Sequence, residues 1–280
     1  MNIKLIALDL DGTLLLPDKT LSEENRLVLM RAAEEKGIHI VLATGRTLSG
    51  ISGILEKLPC VRYAVMANGS MVQDTQTGQV IAEHLVKTED ALVFYDYAVS
   101  KKLMLDFFYQ GKRIVPLEWD DWINQMEASE GTKNLLLSDC VRVKDQRGYL
   151  SGLSGIEKIS IRFQNENEKN RHYEAIEKMF PQFQICSSLE TNIEANCRDI
   201  TKATGIKELI SWLGIGMESV MAFGDNGNDY EMILSAGIGV AMGNAEESIK
   251  KAADRVTGSN TEDGVAQMIR EVFEWQPELL

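Results

Sequence analysis

The sequence predicts an α/β protein, a doubly wound parallel sheet interrupted by an inserted α+β segment. Three observations point to it. Apolar runs of strand length at 3–8, 38–42 and 61–66 alternate with segments of helix length, and the same alternation returns after residue 189. Those runs are apolar at consecutive positions, as strands covered on both faces are. Between residues 85 and 188 the pattern changes to alternation, as in Ile159-Ser160-Ile161-Arg162-Phe163, which fits antiparallel strands with one wet face.

Taken in order, Ile3 to Leu8 forms the first strand and ends in Asp9-Leu10-Asp11-Gly12-Thr13-Leu14. A loop around Pro17 leads to a helix capped at Thr20 or Ser22 and stopped by Gly37. Ile38 to Leu42 is a strand delivering Ala43-Thr44-Gly45-Arg46; a helix over 48–58 and a strand over 61–66 follow, ending in Asn68-Gly69. Such repeated units imply right-handed crossovers. Residues 71–74 and 79–83 read as a hairpin. In the inserted segment a helix over 89–101 precedes strand and helix runs at 103–109, 113–117, 134–137, 141–144, 159–163, 168–179 and 183–186. The parallel pattern is expected to resume with a strand at 192–195, a helix over 202–213 and a strand at 219–223 that ends in Gly224-Asp225-Asn226-Gly227-Asn228-Asp229. A helix (230–235), a strand (238–241), a helix (246–253) and a terminal helix from about residue 261 complete the chain. The expected division is 1–84 with 189–280 as one domain and 85–188 as the other.

With 280 residues the chain can bury a core in each. Its 29 Lys+Arg against 42 Asp+Glu give a net charge of −13, which opposes binding to nucleic acid or to anionic membranes. Cys60, Cys140, Cys186 and Cys197 are scattered and only three histidines accompany them, so neither a zinc site nor a disulfide framework is expected. No leader-like or membrane-spanning run is present, and a cytoplasmic protein, monomer or homodimer, is the expectation.

Asp9 and Asp11, two apart at the end of a buried strand, project to one side where open α/β sheets place ligands. Two such carboxylates call for a cation, and Mg2+ suits oxygen ligands together with a phosphate. Thr44, Lys202 and the Asp225/Asn228/Asp229 turn stand at other strand ends or helix starts. Together they supply what phosphoryl transfer needs: a carboxylate nucleophile, a hydroxyl and backbone N–H groups for phosphoryl oxygens, an ammonium, and metal carboxylates. Each alone has a plainer reading: a turn, a strand-end hydroxyl, a solvated lysine. Their coincidence in this order favours the phosphoryl-transfer reading.

These motifs resemble those of the haloacid dehalogenase (HAD) superfamily. The set Asp9-x-Asp11-Gly12-Thr13, Thr44-Gly45-Arg46, Lys202 and Gly224-Asp225-x-x-Asn228-Asp229, with a large insertion between the second and third, is similar to the Cof-type branch (subclass IIB) of phosphatases. The resemblance implies a HAD-like Rossmannoid core and a cap that chooses the substrate. It implies a Mg2+-dependent phosphatase acting on a small phosphorylated metabolite through an aspartyl-phosphate on Asp9, with Asp11 as acid/base. Asp9, Asp11 (by its carbonyl) and Asp225 would hold the metal. Leu10, Thr44, Gly45, Lys202 and Asn228 would hold the phosphate, supported by Arg46, Asn68 and Asp229. Asn68-Gly69, Asn244 and Asn260 are further matches to the branch. The approach to Lys202, Glu194 to Thr201, departs from the branch's shorter glycine-containing one, which leaves Lys207 as an alternative lysine. A phosphomutase would need a second phosphate site, and the cations Arg113, Lys133, Arg142, Lys144, Arg147 and Arg162 form no evident motif in sequence. A non-catalytic phosphometabolite sensor is the other alternative, opposed by the complete catalytic set. The aromatics Phe94, Phe107, Phe108 and Trp119 are expected in the inserted segment's core.

Overall fold

A computed structural model describes residues 2–276. Its strands, in chain order, are β1 (Leu5–Leu8), β2 (His39–Ala43), β3 (Val61–Met66), β4 (Met71–Asp74), β5 (Val80–Glu83), β6 (Met104–Tyr109) and β7 (Lys112–Pro116). They continue as β8 (Cys140–Val143), β9 (Lys158–Arg162), β10 (Phe183–Cys186), β11 (Asn192–Cys197), β12 (Val220–Gly224), β13 (Ile238–Ala241) and β14 (Arg255–Val256). They make two sheets. The larger has the order β14-β13-β12-β1-β2-β3-β4-β5 and the smaller β10-β11-β9-β6-β7-β8.

In the larger sheet β1 lies between β2 and β12, parallel to both, and Leu5, Ile6, Ala7 and Leu8 are all fully buried. Leu5 and Ala7 pack against the helix Lys202–Leu213, whereas Ile6 and Leu8 pack on the opposite face with the helices Glu23–Lys36 and Gly264–Phe273. Both faces are therefore covered by helices, which accounts for the unbroken apolar run. From β1 the chain adds β2 and β3 on one side and later β12, β13 and β14 on the other. A crevice opens outside the carboxyl ends of the strands at such a switch point. The 71–83 hairpin joins this sheet as an antiparallel edge, so the sheet is mixed rather than wholly parallel.

Helix ends follow local chemistry. Ser22 accepts from the Asn25 amide at 3.2 Å, Gly37 closes the helix at φ 64°, and Thr201 caps Lys202–Leu213. No helix among the described residues is long and apolar enough to cross a membrane.

The strand expected at 192–195 in the parallel sheet is instead β11, antiparallel to β9 and β10 in the smaller sheet. Its alternation of Asn192, Glu194 and Asn196 with Ile193, Ala195 and Cys197 is the pattern of a one-sided strand. The chain thus returns to the larger sheet only at 198–201. Residues 134–137 end a helix, Glu130–Leu137. In the smaller sheet Phe107, Ile159, Ile161, Ile193 and Ala195 form a core with Phe94, while Asp106, Phe108, Lys158, Ser160 and Arg162 occupy the other face of β6 and β9.

The connection before Lys202 holds Asp199 at φ 63°, a conformation that costs a residue with a Cβ. Its carboxylate is exposed and 3.8 Å from Arg198, a pair worth little. Asp199→Gly is expected to stabilise the protein by about 0.5 kcal/mol. That raises the melting temperature by roughly 1–2 °C, and a lower melting temperature would show that the Asp199 side chain has a role of its own.

Candidate active site

The strand ends around the switch point meet at one cavity. Asp9 and Asp11 follow β1, Thr44, Gly45 and Arg46 follow β2, and Asn226 and Asn228 follow β12; all of them line it. From the smaller sheet, Phe108, Arg113, Lys158, Arg162 and Glu194 line the same cavity.

Lys202 is the fully buried first residue of its helix, and its ammonium donates to Asp9 Oδ1 at 2.6 Å and to Asp229 Oδ1 at 2.7 Å. Burial would lower its pKa, but Asp229 and Asp9 overcome that and hold it well above the ordinary lysine value. Lys207 is exposed. The other Asp229 oxygen accepts from the amides of Asp225 and Asn226 at 3.0 and 3.1 Å, so Asp229 fixes both the ammonium and the β12 loop. A side chain at Gly224 would collide with Asp229, and one at Gly12, at φ 91°, with the Asp225 carboxylate.

Asp225 accepts from Thr13 Oγ1 at 2.7 Å. The carboxylate oxygens of Asp9, Asp225 and Asp229 lie within 4.8 Å of one another. Burial, only partly offset by Lys202, pushes Asp9 up to about 7. Burial, with Asp9 and Asp229 nearby, pushes Asp225 up to about 8. Two hard carboxylates held together against their own repulsion fit a divalent cation. Asp229, with both oxygens already engaged, fits the supporting part expected of it.

Asp11 differs. Arg46 grips its carboxylate through Nε and Nη2 at 2.8 and 2.7 Å, and Lys19 lies 2.8 Å away. Burial works against ionisation, but these two cations prevail and hold Asp11 well below the usual carboxylate range. Thr44 Oγ1 accepts from the Arg46 amide at 3.1 Å, and Gly45 offers its carbonyl to Lys158 Nζ at 2.6 Å. The Leu10 side chain is in the core, which leaves only its backbone for a phosphate. Asn68, at φ 58°, accepts from Asn228 at 3.1 Å and donates to Glu194 at 2.6 Å, joining the two sheets. Asn244 and Asn260 hold the carbonyls of Gly12 and Leu15 at 2.8 and 2.7 Å, tying down the loop after β1.

The smaller sheet contributes Lys158 and Asp106, absent from the sequence reading, beside Arg113 and Arg162, which were considered there. Lys158 pairs with Glu194 at 2.5 Å, and of the six cations considered from sequence Arg113 and Arg162 meet at Asp106, whereas Arg142 and Arg147 pair with Asp120 and Asp96. Phe108, expected in the core, faces the cavity with the Lys158 ammonium 4.8 Å from its ring centroid. The signal was the alternation itself: on the polar face of β9, Lys158 and Arg162 line the cavity rather than facing bulk water.

A model of the haloacid dehalogenase-like hydrolases matches residues 6–269. The chain is 33% identical, over 96% of each chain, to 5-amino-6-(5-phospho-D-ribitylamino)uracil phosphatase YcsE of Bacillus subtilis. It is similar to the structure of a haloacid dehalogenase-like hydrolase from B. subtilis, with a TM-score of 0.85 and 28% identity over 96% of this chain and 100% of that one. A HAD subclass IIB sugar phosphatase gives a TM-score of 0.79 and 25% identity over 98% and 100% of the two chains.

Proposed function

The chain belongs to the haloacid dehalogenase-like hydrolases and is a phosphatase of their Cof-type branch, and we propose that it uses Mg2+ and an aspartyl-phosphate on Asp9. The observation that carries this reading is the fully buried Lys202 held between Asp9 and Asp229, 2.6 and 2.7 Å away, with Asp225 alongside. The relatives named for a phosphoribitylamino-uracil and for sugar phosphates support a small phosphorylated metabolite as substrate.

Asp9, Asp225 and the Asp11 carbonyl would hold the metal. Bound there, Mg2+ supplies charge neutralisation between the carboxylates and the phosphoryl oxygens. Asp9 Oδ2, opposite the oxygen that Lys202 holds, attacks phosphorus as the ester oxygen leaves. Thr44, Gly45 and the Leu10 amide, with Lys202 and Asn228, keep the phosphoryl oxygens in place. Asp11 gives its proton to the leaving oxygen and then takes one from the water that hydrolyses the aspartyl-phosphate. In the conformation seen here Arg46 and Lys19 hold Asp11 ionised, so it must part from them to carry a proton. Asp11→Asn keeps the backbone carbonyl and should lower kcat by about 10²–10⁴-fold with little change in Mg2+ affinity; loss of metal binding instead would make the side chain the ligand.

We assign the chemistry to 1–84 and 198–280 and substrate choice to the residues between. The cavity holds about 50 Å³, room for a few waters. Thr47 and Ser49 donate to the Gly111 carbonyl at 2.8 and 2.7 Å and so join the two parts of the chain beside it, a contact that a parting of the sheets on substrate entry would break. The test of the function is orthophosphate release from a panel of phosphomonoesters, with Mg2+ and with a chelator. Release that needs no divalent cation would contradict it.

Metal and pH are linked. Asp9 and Asp225 have folded pKa values raised to about 7 and about 8, above the unfolded one. Their contribution to metal-free stability is complete below about pH 4 and is lost as pH rises through 7 to 8. Metal binding needs both ionised, so the rise in melting temperature with millimolar Mg2+ should be larger at about pH 8.5 than at about pH 5.5. An increment independent of pH would contradict the ligand assignment.

A further inference from the structure

Resting on the phosphatase reading, we propose that Arg113 and Arg162 receive a second anionic group of the substrate, a carboxylate or a second phosphate, carried by its leaving group. Both guanidiniums line the cavity that contains Asp9 and Thr44, so one molecule can reach both places. They share one carboxylate: Arg162 binds Asp106 through Nε at 2.7 Å and Nη2 at 3.0 Å, and Arg113 lies 3.1 Å from it. The neighbouring Lys158 is matched by Glu194 at 2.5 Å. The Glu194 carboxylate also acts on Arg162, so Arg113, Arg162 and Lys158 face two carboxylates, Asp106 and Glu194, and the group keeps one positive charge in excess.

The hydrogen-bond inventory says the same. Arg162 is 2% exposed, yet its Nη1 has no acceptor, and neither does Arg113 Nε in hydrogen-bonding geometry. Arg113 is held by the Leu135 and Leu136 carbonyls at 3.1 and 2.8 Å, so its head is fixed before any ligand arrives. Buried donors without acceptors are costly, and a buried uncompensated charge more so. A hydroxyl on the leaving group would satisfy a donor but not the charge. A carboxylate or phosphate satisfies both, through the paired N–H geometry that guanidinium offers oxyanions.

The test compares esters of one six-carbon skeleton: glucose 6-phosphate, 6-phosphogluconate with its added carboxylate, and glucose 1,6-bisphosphate with its added phosphate. One or both anionic esters should exceed glucose 6-phosphate in kcat/KM by about 10-fold or more, as a charge-assisted pair allows. A preference for 6-phosphogluconate alone assigns a carboxylate, and one for the bisphosphate alone a phosphate. In Arg162→Met the ratio of anionic to neutral ester should fall to within about 2-fold of unity. Arg162→Lys keeps the ion pair with Asp106, and hence the fold, but loses the free N–H; the ratio should fall at least about 3-fold. A native protein that hydrolyses glucose 6-phosphate or p-nitrophenyl phosphate yet shows no preference overturns the proposal, as does a preference that both variants retain. If none of the three is hydrolysed, the phosphatase reading is decided separately on the wider phosphomonoester panel. Equilibrium binding of the same three esters then decides, and equal affinities overturn the anion site.

Discussion

Asp9→Asn is expected to abolish phosphate release, with kcat lower by on the order of 10⁴–10⁶-fold, the scale seen when a nucleophile that works as part of a unit is removed. Three functions meet on this one carboxylate in the proposed mechanism. Its Oδ1 accepts from Lys202, its other oxygen is the one proposed to attack, and it forms half of the Asp9–Asp225 pair proposed for the metal. An amide is a poor nucleophile and a poor Mg2+ ligand, and its NH2 group would face the Lys202 ammonium if the side chain turned. The fold should survive, because replacing an anion whose pKa burial raises to about 7 with a neutral isostere relieves repulsion from Asp225. Steady-state phosphate release together with a melting curve separates the two effects. A folded Asp9→Asn protein with near-native kcat would refute the mechanism.

Lys202→Met should impair both activity and stability. The ammonium is fully buried and makes the ion pairs that compensate Asp9 and Asp229. Removing one partner from a buried ionic network costs about 3–5 kcal/mol, which for a chain of this size lowers the melting temperature by on the order of 10 °C. Its pH dependence has a defined sign. Without Lys202, Asp9 loses the cation that partly offsets the rise burial imposes on it, so the stability it contributes is present at low pH and lost as pH rises. The deficit relative to the native protein should therefore be smaller at about pH 5 than at about pH 8. Asp229→Asn added to Lys202→Met should recover part of the stability but none of the activity. A deficit of equal size at both pH values would mean that packing, not charge, is what Lys202 supplies.

Much of this site was legible because its residues sit where a parallel sheet must place them. Asp9, Thr44 and Asp225 end strands whose apolar runs are unmistakable, and Lys202 opens a helix whose start the capping Thr201 marks. What lay beyond the sequence was tertiary. Whether Asp11 is free or gripped by Arg46, 35 residues away, depends on how two loops close on each other. The short strand β11 read as part of the wrong sheet because six residues carry no information about their partners, only about which face is dry. The Arg113–Asp106–Arg162 cluster was illegible for the same reason: its members lie on three positions brought together by antiparallel register, with no spacing in sequence to announce them. Alternation says that a face is polar. It does not say that the face is the wall of a catalytic cavity.

The covalent role of Asp9 can be tested directly by turning over a phosphomonoester in ¹⁸O-water with enzyme in excess and analysing the peptide containing residues 5–14 by mass spectrometry. Attack by Asp9 followed by hydrolysis at phosphorus leaves the first phosphate released with one solvent oxygen and the Asp9 carboxylate with both of its own oxygens. Hydrolysis at the acyl carbon would instead place solvent ¹⁸O in Asp9 and carry one of the carboxylate's own oxygens off in the phosphate. Trapping decides between covalent and direct attack: acid-quenched enzyme incubated with a ³²P-labelled ester should carry acid-stable, hydroxylamine-labile phosphate on the native protein and none on Asp9→Asn. Turnover with no such phosphoenzyme on the native protein, quenched within a single turnover under conditions where hydrolysis of the intermediate is the slower step, would contradict the aspartyl-phosphate at the centre of this account.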